Sequence, residues 1–330
     1  MSGITSLQRN LRIQKLYNRN RRKAMWLFLS EENKRCKIHH NDITQYFKGK
    51  QCDITDMESQ TPNQRPSLTT NRITPLEIQI RLQKVENTLP GDDRLTYRHW
   101  KTVDPVCSIL ATIFNICMKY EKIPEVWKTS ITVLIYKKGD PQDPANWRPI
   151  AILKTIYKLY SGVLAKRITT WLVNNDALAP AQKGFMLHDG VFEHNYVLKR
   201  QIDKARIEKK EIICTWIDFS NAFGSVPHEV INAALENAGA GAKFNNIIKD
   251  MYRESSKRIM TSGGTNNIDI RAGIKQGCLI SALLFNMSID HIIQWLQEDN
   301  PNHKMTWCSY QKSQKTCITW LTNYNSWLRK

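Results

Sequence analysis

Acidic residues are scarce in this chain and run out before its end. There are 30 Asp and Glu against 48 Lys and Arg, and positions 300–330 contain neither acid. The resulting net charge of +18 favours a polyanionic partner over a cationic one. The basic residues are spread along the chain rather than gathered on one amphipathic helix, which points to nucleic acid before a membrane surface. A basic surface with no binding role stays open. No Cys-x-x-Cys pair occurs among the eight cysteines, and no signal peptide is recognised. A disulfide framework is therefore not expected, and a reducing compartment, nucleus or cytoplasm, is. Cys36 with His39 and His40 has half the form of a zinc site, but a second ligand pair at finger spacing is missing. No apolar run approaches the ~18 residues of a membrane span. Gly239-Ala-Gly-Ala242 does not end in Gly-Lys-Ser/Thr, so it reads as a helix-ending turn and not a phosphate loop. No internal repeat is visible.

The 330 residues, 41% hydrophobic and 24% charged, suffice for a large core. The first fifty carry twelve Lys and Arg against three Asp and Glu, with Leu7, Leu11, Ile13, Leu16 and Tyr17 near helical spacing. Residues 1–51 thus read as a basic helical extension, with Arg19, Arg21, Arg22 and Lys23 as candidate phosphate contacts. A solvated helix face is the alternative for each. Residues 52–70, polar and holding Pro62 and Pro66, read as a linker. Helices are expected over 75–85, 108–121, 155–174, 228–238, 243–253 and 282–296. In the second, Ile109, Leu110, Ile113, Phe114, Cys117 and Tyr120 share one face. Strands are expected over 131–136 and 211–217, with a hairpin of 257–260 and 268–271. Beyond 299 the pattern fades. Strands and helices without regular alternation indicate an α+β fold.

One carboxylate, Asp218, ends the apolar strand, with Phe223 five residues on. An acid fixed by a sheet suits a metal held against a phosphate. The same acid would also cap a helix starting at Ser220. Four blocks stand in order: Lys137-Lys-Gly-Asp140 with Asn146-Trp-Arg-Pro-Ile150; Gln182-Lys-Gly-Phe185 with Asp189-Gly190 and Glu193; Asp218 with Phe223; and Arg271-Ala-Gly-Ile-Lys-Gln-Gly-Cys278 with Ser281 and Leu283-Leu-Phe-Asn286. Together they resemble the reverse transcriptase domain of non-LTR retrotransposons, of the kind that inserts site-specifically into ribosomal RNA genes, over about residues 71–298.

That resemblance implies right-hand polymerase fingers and part of a palm, with the thumb absent, and a basic extension that binds RNA. It implies RNA-directed DNA synthesis by two-metal nucleotidyl transfer, with Mg²⁺ as cofactor. The implied partners are an RNA template, a DNA primer or target, and deoxynucleoside triphosphates. It makes Asp218 the catalytic, metal-binding aspartate, with the Phe219 carbonyl completing that side of the metal. Arg148 resembles the residue folding over the triphosphate, assisted by Lys137, whose alternative is a solvated hairpin charge. Phe223 resembles the aromatic gate beneath the sugar, with plain core as its alternative. Gly273, Gln276 and Gly277 resemble the loop where the template–nucleotide pair docks, and Asn286 is expected to hold that loop.

The family's later strand–turn–strand with two adjacent aspartates has no counterpart in this sequence. Asp299 stands alone after Glu298, and Asp290 belongs to the last helix. Gly224 replaces an acid, Leu279 and Ala282 replace prolines, and Gly91-Asp-Asp-Arg94 departs from the expected Pro- and Gly-containing loop. A single carboxylate cannot hold two divalent cations ~3.5–4 Å apart. The expectation is a copy that has lost catalysis, with a divergent tail over 299–330. A non-catalytic RNA- or DNA-binding module is the alternative. A third is a chain left unstable by an unpaired sheet edge.

Overall fold

The computed structural model describes residues 6–20, 23–25, 27, 36–49, 65–68, 70–86, 88–186, 189–219, 222–262, 264–275, 277–298, 306–308 and 317–323. Helices α1 (Ser6–Arg19) and α2 (His40–Gly49) come first. Helix α3 (Pro75–Lys84) opens on a capping box: Thr74 Oγ1 accepts from the Glu77 amide at 3.3 Å, and Glu77 Oε2 accepts from the Thr74 amide at 2.9 Å. Pro75 takes the first helical position, where a missing N–H costs nothing. Helices α4 (Tyr97–Val103), α5 (Ser108–Tyr120) and the single turn α6 (Glu125–Lys128) lead into β1 (Thr129–Tyr136) and β2 (Trp147–Ile152). Next come α7 (Thr155–Asn174), α8 (Gly190–Ile207), β3 (Ile212–Asp218) and the short α9 (Ala222–Ser225). The chain continues through α10 (His228–Ala238), α11 (Ala242–Tyr252), β4 (Ser256–Thr261), β5 (Gly264–Asp269) and α12 (Ser281–Glu298). Strands β6 (Thr306–Cys308) and β7 (Cys317–Asn323) close the order.

Helix α7 is the axis of the main core. It buries Ile156, Tyr157, Leu159, Tyr160, Val163, Leu164, Ile168 and Leu172, apolar around most of its circumference as a central helix must be. Helix α3 is tied to it by Arg167, whose Nε and Nη2 donate to the two Glu77 oxygens at 2.9 and 2.8 Å. Burial opposes the charge on Glu77, but the Arg167 and Thr74 bonds outweigh it and hold the carboxyl below its ordinary range.

The first sheet has the order β2-β1-β4-β5, with β1 parallel to β4 and the other pairs antiparallel. Side chains alternate between its faces, and the N-terminal segment covers both. Ile13, Tyr17, Ala24 and Met25 pack with Val133, Ile135 and Ile152. Cys36, Ile38, Ile43 and Phe47 pack with Leu134, Tyr136, Trp147, Ile259 and Ile268 on the other side. The extension therefore shares a core with the β1–β2 hairpin.

Several expectations change. Leu110, Phe114 and Cys117 of α5 are buried, but Ile109 and Tyr120 are 54% and 63% exposed, so the inward stripe is narrower than the apolar residues suggested. Strand β5 starts at Gly264, opposite Thr261, which makes the hairpin tighter than read. The end of the expected linker is packed: Leu68 is buried, and the Arg65 guanidinium reaches the carbonyls of Asn175, Ala238 and Asp176. The tail holds two strands, and β7 pairs antiparallel with β3 in a sheet of order β3-β7-β6, so this edge of β3 is covered.

Ile43→Ala and Ile13→Ala should each cost about 2–5 kcal/mol of unfolding free energy. The loss should register in the main urea transition monitored by tryptophan fluorescence. A main transition unmoved by either change would mean that the N-terminal segment folds apart from the sheet.

Candidate nucleotide and metal site

Strand β1 ends in a connection that turns two cations onto one face. The Lys137 amide donates to Asn146 O at 2.7 Å, Gly139 adopts φ +95°, and Trp147 Nε1 donates to Pro141 O at 2.9 Å. In the β1–β2 ladder Arg148 stands opposite Ile135, two residues before Lys137, so the two side chains are diagonal neighbours. Burial, and then the Arg148 charge, push the Lys137 ammonium below its ordinary pKa, with Asp143 partly offsetting them. Two adjacent cations on a half-buried face form a place for a polyanion. Pro149 is tolerated because β2 is an edge strand.

The loop before α12 is pinned from three sides. Gly273 (φ +95°) donates to Val226 O at 2.7 Å, and a Cβ there would lie 2.8 Å from Gly224 O. Gly277 (φ +112°) is exposed and lies against the end of β2, where a Cβ would meet Ala151 O at 2.7 Å. Between them Lys275 is buried. Its ammonium donates to Lys128 O at 3.2 Å and Met251 O at 3.1 Å and lies 5.4 and 5.7 Å from the Tyr157 and Tyr252 ring centroids. Burial lowers its pKa to about 8. Lys128 is held in turn by Asp250 at 3.2 Å and Glu125 at 2.8 Å. Ser281 Oγ donates to Lys275 O at 2.9 Å. The side chain expected to hold this loop, Asn286, instead donates to Gly184 O, so it fastens the Gln182–Phe185 block.

Phe223 stacks on Phe285 with centroids 4.9 Å apart and meets Phe185 edge-on at 6.0 Å. Phe223 O accepts from the Ile274 amide at 2.6 Å. The ring thus belongs to an aromatic group at the border of core and loop, and Phe219 is half-buried against the same core. Arg19 and Lys23 are exposed. Arg21, Arg22 and Gln276 lie outside the described residues.

Asp218 is the last residue of β3, and its ladder partner is Cys317, which in turn pairs with Cys308. The connection between those strands, Ser309-Tyr-Gln-Lys-Ser-Gln-Lys-Thr316, contains two lysines and no acid. Among the described residues no three His, Cys, Asp or Glu are grouped to hold a metal ion. Asp290 is engaged elsewhere: buried on α12, it accepts from the Ala179 amide at 3.0 and 3.2 Å and from Gln294 at 2.6 Å. Among the described residues these donors do not make up a site for a pair of divalent cations. No single described helix is long and apolar enough to cross a membrane.

The fold is α+β of the right-hand, reverse transcriptase type, with an antiparallel hairpin beside β3. Residues 135–311 match the family described as reverse transcriptase (RNA-dependent DNA polymerase), and the chain belongs to that family. The match runs past the expected boundary at 298 into β6. The chain is 31% identical over 67% of its length to the Retrovirus-related Pol polyprotein from type-1 retrotransposable element R2 of Popillia japonica, covering 30% of that protein. It is 30% identical over 66% of its length to the corresponding polyprotein of Nasonia vitripennis, covering 21%. A structure of apo telomerase from Candida Tropicalis, truncated from its C-terminal domain, matches 70% of the chain and 56% of that structure, at 11% identity and a TM-score of 0.42. The chain thus spans under a third of the length of these R2 relatives. Reverse transcriptases generally use divalent metal ions and take a nucleic acid template and deoxynucleotides.

Gly277→Ala and Gly273→Ala should each cost roughly 1–3 kcal/mol through backbone strain, read as a lower urea midpoint at unchanged slope. Burial raises the Asp290 pKa to about 6 despite the bonds it accepts. The folded state then binds more protons than the unfolded one between about pH 4 and 6. The contribution of this group to stability should fall as pH rises through that window. Relative to Asp290→Asn, the wild type should lose stability there and level off above it, as followed by urea titration.

Proposed function

We propose that this chain is the fingers and palm portion of an element-encoded RNA-directed DNA polymerase that retains nucleotide and nucleic-acid binding but has lost nucleotidyl transfer. The observation that carries the binding half is a convergence. The loop around Lys275 rests on Gly224 beside Phe223 and on Ala151, three residues from Arg148. The Gly273–Gly277 loop therefore links the strand that carries Arg148 to the short helix that carries Phe223. In this reading the guanidinium of Arg148 and the ammonium of Lys137 grip the triphosphate, and Phe223 lies under the sugar, where a ring excludes a 2′-hydroxyl. Gln276 and Gly277 receive the template–nucleotide pair, and Arg19, Arg21, Arg22 and Lys23 contact template RNA beyond the site. Asp218 and the Phe219 carbonyl would supply one side of a Mg²⁺ site.

Loss of chemistry follows from charge. In-line transfer between two oxygens needs two cations, and the strand beside Asp218 brings a cysteine and a lysine-bearing turn instead of further carboxylates. Residues 1–51, 71–298 and 299–330 are on this reading extension, polymerase core and diverged palm end. The setting is nuclear or cytoplasmic, and the partners are template RNA, a DNA primer or target, and deoxynucleoside triphosphates.

Purified chain with Mg²⁺, annealed DNA primer and RNA template should incorporate no labelled nucleotide, yet should bind a fluorescent deoxynucleoside triphosphate, and Arg148→Gln should weaken that binding about tenfold or more. Template-dependent extension abolished by Asp218→Ala would overturn the loss of catalysis. Equal nucleotide binding by wild type and Arg148→Gln would overturn the assigned pocket.

A further inference from the structure

Helix α8 is built inside out. His194 is its one buried residue among those described, while Phe192 and Tyr196 are 68% and 56% exposed. Four residues apart, they lie one turn from each other on the pole opposite His194. Exposed Lys199 and Arg200 continue the same face. Of the acids on this helix, Glu193 is neutralised by Lys183 at 3.0 Å. The remaining one, Asp203, is outnumbered by Lys199, Arg200, Lys204 and Arg206.

The helix is mounted firmly. Asp189 Oδ1 accepts from the Phe192 amide at 3.2 Å as its N-cap. Gly190 sits so close to Lys183 that a Cβ would come within 2.6 Å of the Lys183 Cβ. Asn286 holds Gly184, and Gln182 Oε1 accepts from the Gly184 amide at 3.1 Å. The Gln182–Phe185 block is thus a bracket that fixes where α8 points. At its end Phe185, 37% exposed, touches Phe223. Phe185 and Phe223 thus meet at the proposed nucleotide pocket, and Phe192 and Tyr196 are exposed on the outer face of α8.

We propose that this face of α8 is a stacking platform for an unpaired nucleic-acid strand entering or leaving that pocket. Exposed aromatic rings offer faces to successive bases whatever the sequence, and flanking cations track the phosphates. The rise between Phe192 and Tyr196 is about 6 Å, close to twice the ~3.4 Å step between nucleotides of one strand. Stacking inside a duplex covers the base faces that these rings need, so the surface selects single strands over duplex. The link to the pocket rests on the function proposed above, whereas strand binding by α8 does not.

The test is fluorescence anisotropy on the full chain, with labelled oligouridylate and a labelled RNA hairpin as probes. Phe192→Ala with Tyr196→Ala should weaken oligouridylate binding about tenfold or more and leave the hairpin largely unaffected, while Phe192→Tyr with Tyr196→Phe keeps wild-type affinity. Lys199→Gln with Arg200→Gln should flatten the log–log salt slope for the single strand by about 1.4. Labelled deoxynucleotide binding, measured on the same proteins, should not change, because these residues lie outside the pocket. Unchanged oligouridylate affinity in the double alanine variant overturns the proposal. So does an equal loss for both probes, or an alanine effect traced by sedimentation to altered self-association, which would make the face a protein contact. Failure of the wild type to bind nucleotide would remove the function proposed above while leaving the strand-binding result readable.

Discussion

Asp218 closes β3 with Cys317 as its ladder partner, and the proposed loss of nucleotidyl transfer depends on that pairing. Two divalent cations held ~3.5–4 Å apart, at a point where phosphates also gather, need several carboxylates arriving from more than one strand. Strands β6 and β7 form an antiparallel hairpin beside β3. Its turn carries lysines.

The Gly273–Gly277 loop and the first sheet hold together through interactions that do not depend on metal. Lys275 is buried between two tyrosine rings and two carbonyls, with Lys128, Asp250 and Glu125 behind it. A buried ammonium with its hydrogen-bonding capacity engaged is costly to disturb, so the loop carrying Gly277 stays against β2. On the other side of β2 and β1, the N-terminal helices fill both faces of the sheet. Lys137 and Arg148, the proposed triphosphate contacts, thus stand on a hairpin whose core is completed by the extension. These elements are supported by apolar packing and by the buried Lys128–Asp250 ion pair.

Much of this was legible in the sequence. The α7 pattern from Ile156 to Leu172 and the strand 131–136 follow from periodicity, and the blocks around Arg148, Asp218 and Lys275 carry the resemblance to the family. What escaped has physical reasons. Strand β2 contains Arg148 and Pro149, which suit an edge strand but break the usual strand signature. Helix α8 places aromatics outward and a histidine inward, so no inward stripe announces it. Cys317-Ile-Thr-Trp-Leu-Thr-Asn323 holds three β-branched residues and a tryptophan but does not alternate strictly, so the signal for β7 was weak. That Lys275 is buried, and that Asn286 serves Gly184, depends on which helices meet, and local sequence does not encode those contacts.

The most direct test of the central claim is anomalous diffraction from crystals of the chain soaked in Mn²⁺ with a bound deoxynucleoside triphosphate. The account predicts manganese only where the triphosphate itself carries it, with no pair of ions at the end of β3. Two anomalous peaks within about 4 Å of each other, both coordinated by Asp218, would contradict it.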